Sequence, residues 1–353
     1  MKWTTIDLGS SEVKAAVNDV ANRPIKLTYH EGVSYSYMPS VALVSDDEIF
    51  IGRHVLLLDA IGAEGVVSNW NSHSQKDKIT RSFFLAIKQA AKDFYSEDAI
   101  GAVLIFDDVS QKREVESDIE DIKKGKESNN SNIAKIATDV FSNVHCVCSS
   151  EVVTSIYSPN KDLSMVVDLG YSSLKISVVD NGIQKSYNRY PELGFGSVDL
   201  SEIVDYDFSA DVSNTEHALS GMYLGEVVRR NLCLSTNNYY PLPIFKGISK
   251  GKNEIQKKFD MEIMRYLYKC FDSCDHILKN SKWGWNDLNS ILFCGGAANF
   301  HLLSQVFEKY KASYGTDCTA TVKTFSKDAQ WVGAYSAIQL PLERNVSTVT
   351  VEY

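Results

Sequence analysis

Two short strings, Ile6-Asp7-Leu8-Gly9-Ser10-Ser11 and Val167-Asp168-Leu169-Gly170-Tyr171-Ser172-Ser173, stand about 160 residues apart in this chain. Each reads as an apolar strand that reaches Asp-Leu-Gly, passes small hydroxyl residues and enters a second β-prone run, Val13 to Val17 or Leu174 to Val179. A chain that builds one Asp-bearing hairpin twice is suited to gripping a single charged object from two sides. The chemistry of the pair points to a metal-bound polyphosphate. Glycine opens the turn and lets backbone approach a phosphate closely. Turn amides and hydroxyls can hydrogen-bond phosphate oxygens. Two aspartates can hold a divalent cation that keeps several of its waters. A lone Asp-Leu-Gly would carry little, because Asp and Gly crowd into ordinary hairpin turns. The matched pair carries the argument.

The length, 353 residues, exceeds one ordinary core and predicts two lobes. The formal net charge of −9 argues against a general nucleic-acid or anionic-membrane binder, since both need a basic face. The basic spot Lys123-Lys124-Gly125-Lys126 sits in a polar stretch and reads as a solvated loop. No apolar run is long enough to predict a transmembrane helix. Met1-Lys2-Trp3-Thr4-Thr5 enters a strand directly, without the charged and apolar segments of a leader. The seven cysteines include two close pairs, Cys146-x-Cys148 and Cys270-x3-Cys274, and neither joins nearby His in a four-ligand set. They read as buried free thiols of a reducing, cytoplasmic protein. The histidines are scattered and suggest no nucleophile-His-acid arrangement.

Hairpins and strand-helix units alternate along the chain. Residues 1–20 read as one hairpin. Pro39 to Val44 and Glu48 to Ile51 read as another, turning at Asp46-Asp47. Apolar residues at Ile79, Phe83, Phe84, Ile87, Ala90 and Ala91 predict a helix over Lys78 to Phe94. Ala99 to Phe106 is almost wholly apolar, as for a strand covered on both faces. Helices are expected at Ser110 to Lys123, Ile133 to Phe141, and Ser149 to Tyr157 with Ser149 or Ser150 as its N-cap. Val144 to Cys148 reads as a strand. Asn181-Gly182 is the strongest hairpin signal in the chain. Helices are further expected near 216–234, at 256–280, from His301 to Lys311, and from Gln330 to Leu340. Ile291 to Ala298 reads as a strand running into a glycine turn. The organisation is therefore α/β, given twice, with a cleft between the halves.

These residues resemble the superfamily of DnaK-type heat-shock chaperones, actins and sugar kinases, over nearly the whole chain. Asp7 to Ser11 looks like its first phosphate hairpin, and Lys14 has the spacing of a phosphate-contacting lysine in actin. Asp168 to Ser173 looks like the second hairpin. Ser149 to Ser158, with Glu151, resembles the first connecting helix. Asp328 to Ala337 resembles the second. Gly295-Gly296 resembles the adenosine turn. Leu193-Gly194-x-Gly196 resembles the glycine turn after the second hairpin. Glu226-x-x-Arg229-Arg230 resembles an adenine clamp, in which a guanidinium stacks on the purine. The resemblance implies two ribonuclease-H-like lobes, the actin-like ATPase fold, with a nucleotide cleft between them. Lobe I would span 1–160 and be completed by the C-terminal helix 326–340. Lobe II would span 161–325, with a helical insertion at about 205–280.

It further implies ATP or ADP with Mg²⁺, the cation held through water by Asp7 and Asp168. Gly9, Ser10, Ser11, Lys14, Gly170, Ser172, Ser173, Gly194, Gly196, Glu226, Arg229, Arg230, Gly295, Gly296 and Asp328 would line the nucleotide. Glu151 would help Asp7 and Asp168 orient a water or a metal ligand. Several positions depart from the family. Val66 to Asn71 lacks the chaperones' lysine near the water nucleophile, and Leu104 to Asp107 lacks their proline. Tyr171 stands where glycine is preferred. About 13 residues follow the last expected helix, too few for a peptide-binding domain. The resemblance therefore implies nucleotide binding with slow or degenerate hydrolysis, in a chaperone-like switch that engages a protein partner. The alternatives are an actin-like filament-forming ATPase of cytoskeletal or plasmid-segregation type, a small-molecule kinase using Asp107 or Asp108, and a scaffold that has lost nucleotide.

Overall fold

The first acidic string does form a hairpin. β1 (Lys2–Leu8) runs antiparallel to β2 (Glu12–Val17), with Asp7 opposite Lys14. In the computed structural model the described residues are 2–9, 12–17, 28–30, 33–35, 37–45, 48–52, 55, 65–67, 73–126, 132–158, 162–198, 232–233, 252–315 and 318–324. β3 (Tyr37–Pro39) pairs antiparallel with β2 at the edge of the sheet. On the other side of β1 lies β4 (Ile100–Phe106), parallel to it, and then β5 (Asn143–Cys148), parallel to β4. The order is β5-β4-β1-β2-β3.

The second string repeats this plan. β6 (Ser164–Leu169) and β7 (Leu174–Asp180) are antiparallel, with Asp168 opposite Lys175. β8 (Ile183–Tyr190) continues antiparallel after the Asn181-Gly182 turn. Both turn residues have positive φ, 54° and 75°, as a two-residue hairpin of matching twist requires. β9 (Ser290–Cys294) is parallel to β6, and β10 (Thr321–Thr324) is parallel to β9. Read from the corresponding edge, this sheet runs β10-β9-β6-β7-β8. Each sheet thus has its acidic strand at the centre, an antiparallel hairpin on one flank and two parallel strands on the other. The fold is α/β with mixed sheets, compatible with the actin-like fold.

Helices cover the sheets where their apolar stripes dictate. α1 (Lys76–Tyr95) buries Ile79, Phe83, Phe84, Ile87 and Ala91, the stripe read from the sequence. It ends at Ser96, held at φ 55°. α2 (Val109–Lys123) is capped by Asp108, whose carboxylate accepts from the Ser110 amide at 2.8 Å. α3 (Asn132–Val140) packs beside it, and α4 (Ser149–Tyr157) follows β5 directly. In the second half α5 (Lys252–Lys279) and α6 (Leu303–Tyr314) cover the sheet. One apolar core joins β1, β2 and β4 to α1, α2 and α3; a second joins β6, β7 and β9 to α5 and α6. A third cluster sits between the sheets, where Val152 and Val153 of α4 meet Val103 and Val147 from one and Val166, Val179 and Leu292 from the other.

Some expectations need correction. The N-cap of α4 is Cys148, with no side-chain cap bond; Ser149 and Ser150 lie inside the helix. Their hydroxyls are drawn instead to Asp107 and Gln184. The early hairpin is Ala42–Val44 with Ile49–Ile51, and Pro39 belongs to β3, an edge strand that tolerates a missing N–H. α6 begins at Leu303 rather than His301. All seven cysteines are free, and all but Cys318 are buried. Among the described residues no helix is long and apolar enough to cross a membrane. The expected helix at 330–340 lies outside the described residues, as do Asp46, Asp47 and all of the expected helix at 216–234 except Leu232 and Cys233, which are helical and buried.

Candidate functional site at the second acidic hairpin

β6 is buried along its whole length, Asp168 included. A buried carboxylate needs partners, and here they come from both halves of the molecule. Lys175 Nζ lies 3.6 Å from Asp168 Oδ2 and 2.6 Å from Asp107 Oδ2. Asp107 follows the last residue of β4, so one ammonium joins the central strand of the second sheet to a strand end of the first. Gly295, at φ +92°, brings its backbone against the other side of Asp168. A Cβ there would fall 2.5 Å from Asp168 Oδ1 and 2.6 Å from the Leu169 carbonyl. This close approach explains why glycine follows β9.

Asp107 is fixed further by Ser149, whose hydroxyl lies 3.3 Å from Oδ1. Its carbonyl accepts from Gln184 Nε2 at 2.7 Å. Gln184 acts as a bolt through the junction. Its Nε2 also lies 2.9 Å from both Ser150 Oγ and Ser177 Oγ. Its Oε1 accepts from the Val109 amide at 2.8 Å. Its own amide donates to Glu151 Oε1 at 3.1 Å. A register shift between β7 and β8 pairs Val179 with Gln184 and Val178 with Ser186, and this irregularity aims the glutamine inward. Glu151 Oε2 lies 3.9 Å from Lys112 Nζ. The carboxylate expected to orient water is therefore buried and engaged with the second sheet through Gln184 and with α2 through Lys112.

The glycine turn expected after this hairpin, with Gly194 and Gly196, packs onto the hairpin itself. The Phe195 amide donates to the Gly170 carbonyl at 2.8 Å, and the Gly196 amide to the Tyr171 carbonyl at 2.9 Å. Added Cβ atoms would strike the Tyr171 and Ser172 backbone at Gly194, and the Tyr171 ring at Gly196. These glycines let two backbone turns touch, and the bulky Tyr171 ring rests over Gly196. Gly296 abuts Phe195. Ser173 is buried, and its hydroxyl accepts from Arg189 Nε at 3.1 Å. Ser172 sits half-buried at the hairpin tip, and no hydrogen bond to its amide or hydroxyl is present among the described residues.

At the first hairpin, Gly9 makes a tight turn: a Cβ would lie 2.5 Å from the Glu12 carbonyl oxygen. Lys14 pairs with Glu12 at 3.8 Å, two residues back on the same face of β2. Ser10, Ser11, Glu226, Arg229, Arg230 and Asp328 lie outside the described residues. The structure thus brings Asp168, Gly295, Glu151 and the hairpin tip into one neighbourhood, and adds Asp107, Lys175 and Gln184. Lys175 was missed in the sequence, although it follows Asp168 at the interval by which Lys14 follows Asp7. Gln184 carried no sequence signal beyond its place just after the Asn181-Gly182 turn.

Burial pushes the Tyr187 phenol, on β8, up to about 12; Asp107 adds to the rise, while Lys175 and Arg189 oppose it. The Cys148 thiol is pushed up to about 11, chiefly by burial and against a hydrogen bond with Ser150.

The two groups implied by the resemblance fare differently here. A polyphosphate is compatible with the tip, where Ser172 makes no hydrogen bond among the described residues, while the glycines there and at Gly295 approach the protein's own atoms. A divalent cation does not fit at Asp168. The carboxylate oxygen that would face it already faces an ammonium. Among the described residues no three His, Cys, Asp or Glu side chains are grouped to hold a metal. A separate groove of about 880 Å³ lies between the turns at Glu192 to Val198 and α5, lined by Met261, Arg265 and Tyr266, and takes in none of the hairpin residues.

No family model matches the chain. It is 25% identical over 164 residues to heat shock 70 kDa protein 14 of Macaca fascicularis. The aligned stretch covers 43% of this chain and 32% of that protein, so the chain spans about a third of the relative's length. The likeness is distant and points to the actin and heat-shock-70 superfamily of nucleotide-binding proteins.

Proposed function

We propose that this protein binds ATP or ADP between its two acidic hairpins and acts as a chaperone-like nucleotide switch that engages a protein partner in the cytoplasm. The observation that carries the reading is the repeated register: Asp7 opposite Lys14 and Asp168 opposite Lys175, each on the central hairpin of a sheet with the same strand order. Two like-built turns can meet a phosphate chain from two sides. The likeness to a heat shock 70 kDa protein supports it from a separate direction.

In this reading Ser172 and the turn amides would hold phosphate oxygens, and Lys14 and Lys175 would supply positive charge. Gly295-Gly296 would admit the nucleoside beside Asp168. A ligand held by both hairpins favours whichever arrangement of the halves lets both reach it, and so shifts a population. Phosphoryl transfer depends on positioning and charge stabilisation. Glu151 already serves Gln184 and Lys112, which fits binding with slow or degenerate hydrolysis better than rapid turnover.

Calorimetry with ATP, ADP and GTP tests the reading. Saturable binding of an adenine nucleotide, weakened by Lys175→Met, is the expected result. A titration with no heat for any of the three nucleotides would end it. Light scattering that rises above a threshold protein concentration in ATP would replace the switch with an actin-like filament.

A further inference from the structure

A nucleotide brought to two acidic turns needs positive charge there, and the second turn carries its own. One ammonium, Lys175 Nζ, reaches Asp107 at 2.6 Å and Asp168 at 3.6 Å. Its cross-strand neighbour is Arg189, whose Nε reaches Ser173 at 3.1 Å. Two aspartates, one lysine and one arginine sum to zero formal charge with no metal among them. Magnesium demands near-octahedral oxygen ligation and keeps several waters. A doubly charged ion set against Asp168 Oδ2 would stand within a few ångströms of the ammonium and be repelled by it. Nor is the lysine easily displaced. Its departure would leave two partly buried carboxylates facing each other across the junction.

We propose that the protein binds nucleotide phosphates without a divalent cation, the Lys175 side chain taking the place of the metal between Asp107 and Asp168. This rests on the nucleotide-binding reading above. The tethered ammonium cancels carboxylate charge permanently, so phosphate oxygens can approach the hairpin tip. A divalent ion that travels with the nucleotide in solution adds nothing that the chain lacks.

The experiment is calorimetry of ATP and of ADP on the full chain, in excess EDTA and in millimolar magnesium. Dissociation constants within about threefold of each other are expected, a difference well under one decade of affinity. Binding in magnesium that weakens by a decade or more in EDTA would overturn the proposal and leave the nucleotide reading standing. No binding in either buffer would overturn both. Lys175→Met should lose about tenfold or more in EDTA, and Lys175→Asp should make binding depend on magnesium. The double variant Asp107→Asn/Lys175→Met removes an acid together with the lysine, and so tests the same loss if the single variant does not fold. Wild-type affinity in EDTA for any folded Lys175 variant would sink the idea.

Discussion

The two acidic hairpins share a register but not a charge network. In the first, Lys14 stands opposite Asp7 yet pairs with Glu12, a buried acid at the start of β2. In the second, the position matching Glu12 is Ser173, which accepts from Arg189. Lys175 therefore turns to Asp168 and reaches on to Asp107 in the other half. The parallel strands diverge in the same way. β1 and β4 align Ile6 with Leu104, while β6 and β9 align Val167 with Phe293. The strand end that carries Asp107 in one sheet thus carries Gly296 in the other. A repeated backbone plan has been given one acidic and one glycine-rich end, and the acidic end locks onto the opposite half's hairpin. The difference teaches that the ion pairs at the junction come from the second hairpin, where they join the Gln184 contacts and the valine cluster around α4.

The largest expected effect is common to both halves and sets the background for the rest. Burial holds the thiols of Cys146 and Cys270 up to about 12 and that of Cys148 up to about 11, above an ordinary value of 9.0. Raised folded values mean that the folded chain keeps protons which the unfolded chain gives up. The stability is full below pH 9 and is lost as pH climbs toward 12, at about 1.4 kcal/mol per thiol for each unit. Unfolding free energies from urea titrations at pH 8 and pH 10 should differ by a few kcal/mol, and equal values would refute it. Next comes Gly295→Ala. A methyl there is strained by the positive φ and meets Asp168 and Leu169 closer than any Cβ sits in a folded protein. We expect a loss of about 3 kcal/mol in chemical denaturation. Gly125→Ala, also at positive φ but with nothing within 4 Å, should cost less, and the gap between them measures the close contact.

Much of this was legible in the sequence because it is local and periodic. The hairpins, the apolar β4, the α1 stripe and the Asn181-Gly182 turn follow from neighbouring residues. The site was legible only as far as its motifs repeat. Asp168 and Gly295 stand out as parts of strings, and the interval from Asp7 to Lys14, carried to Asp168, is the unused signal for Lys175. Asp107 read, with Asp108, as an acid that a small-molecule kinase would use, and Asp108 caps a helix. The partner of Asp107 lies across the junction, at a sequence separation no local pattern spans. Gln184 was invisible because its orientation depends on a strand irregularity. Ser149 was misread as a cap because a nearby carboxylate competes for its hydroxyl.

Gln184→Leu tests whether the junction is held by polar contacts. It would leave the Val109 amide, the Asp107 carbonyl and two buried hydroxyls without their partner, at a cost of about 2–3 kcal/mol. A neutral result in urea would show that the valine cluster around α4 suffices. The two lysines then divide the hairpins directly. Lys175→Met removes a partly buried ammonium from two carboxylates and should cost about 1–2 kcal/mol after allowing for solvent exposure. Lys14→Met, which loses one contact at 3.8 Å, should cost under about 1 kcal/mol. Equal losses would erase the asymmetry.

The smallest effect asks whether Glu12 is the cause of that asymmetry. If the acid at the start of β2 diverts Lys14, then Glu12→Ser gives the first hairpin the residue type found at Ser173. Lys14 should then turn to Asp7, as Lys175 turns to Asp168. A double-mutant cycle on Asp7→Asn and Lys14→Met should show coupling near zero with Glu12 present. In the Glu12→Ser background it should rise to about 0.5 kcal/mol, the scale of a half-exposed ion pair. Coupling of the same size in both backgrounds would mean that Lys14 already serves Asp7. The distinction between the hairpins would then lie in Asp107, which among the described residues reaches its hairpin from the opposite sheet.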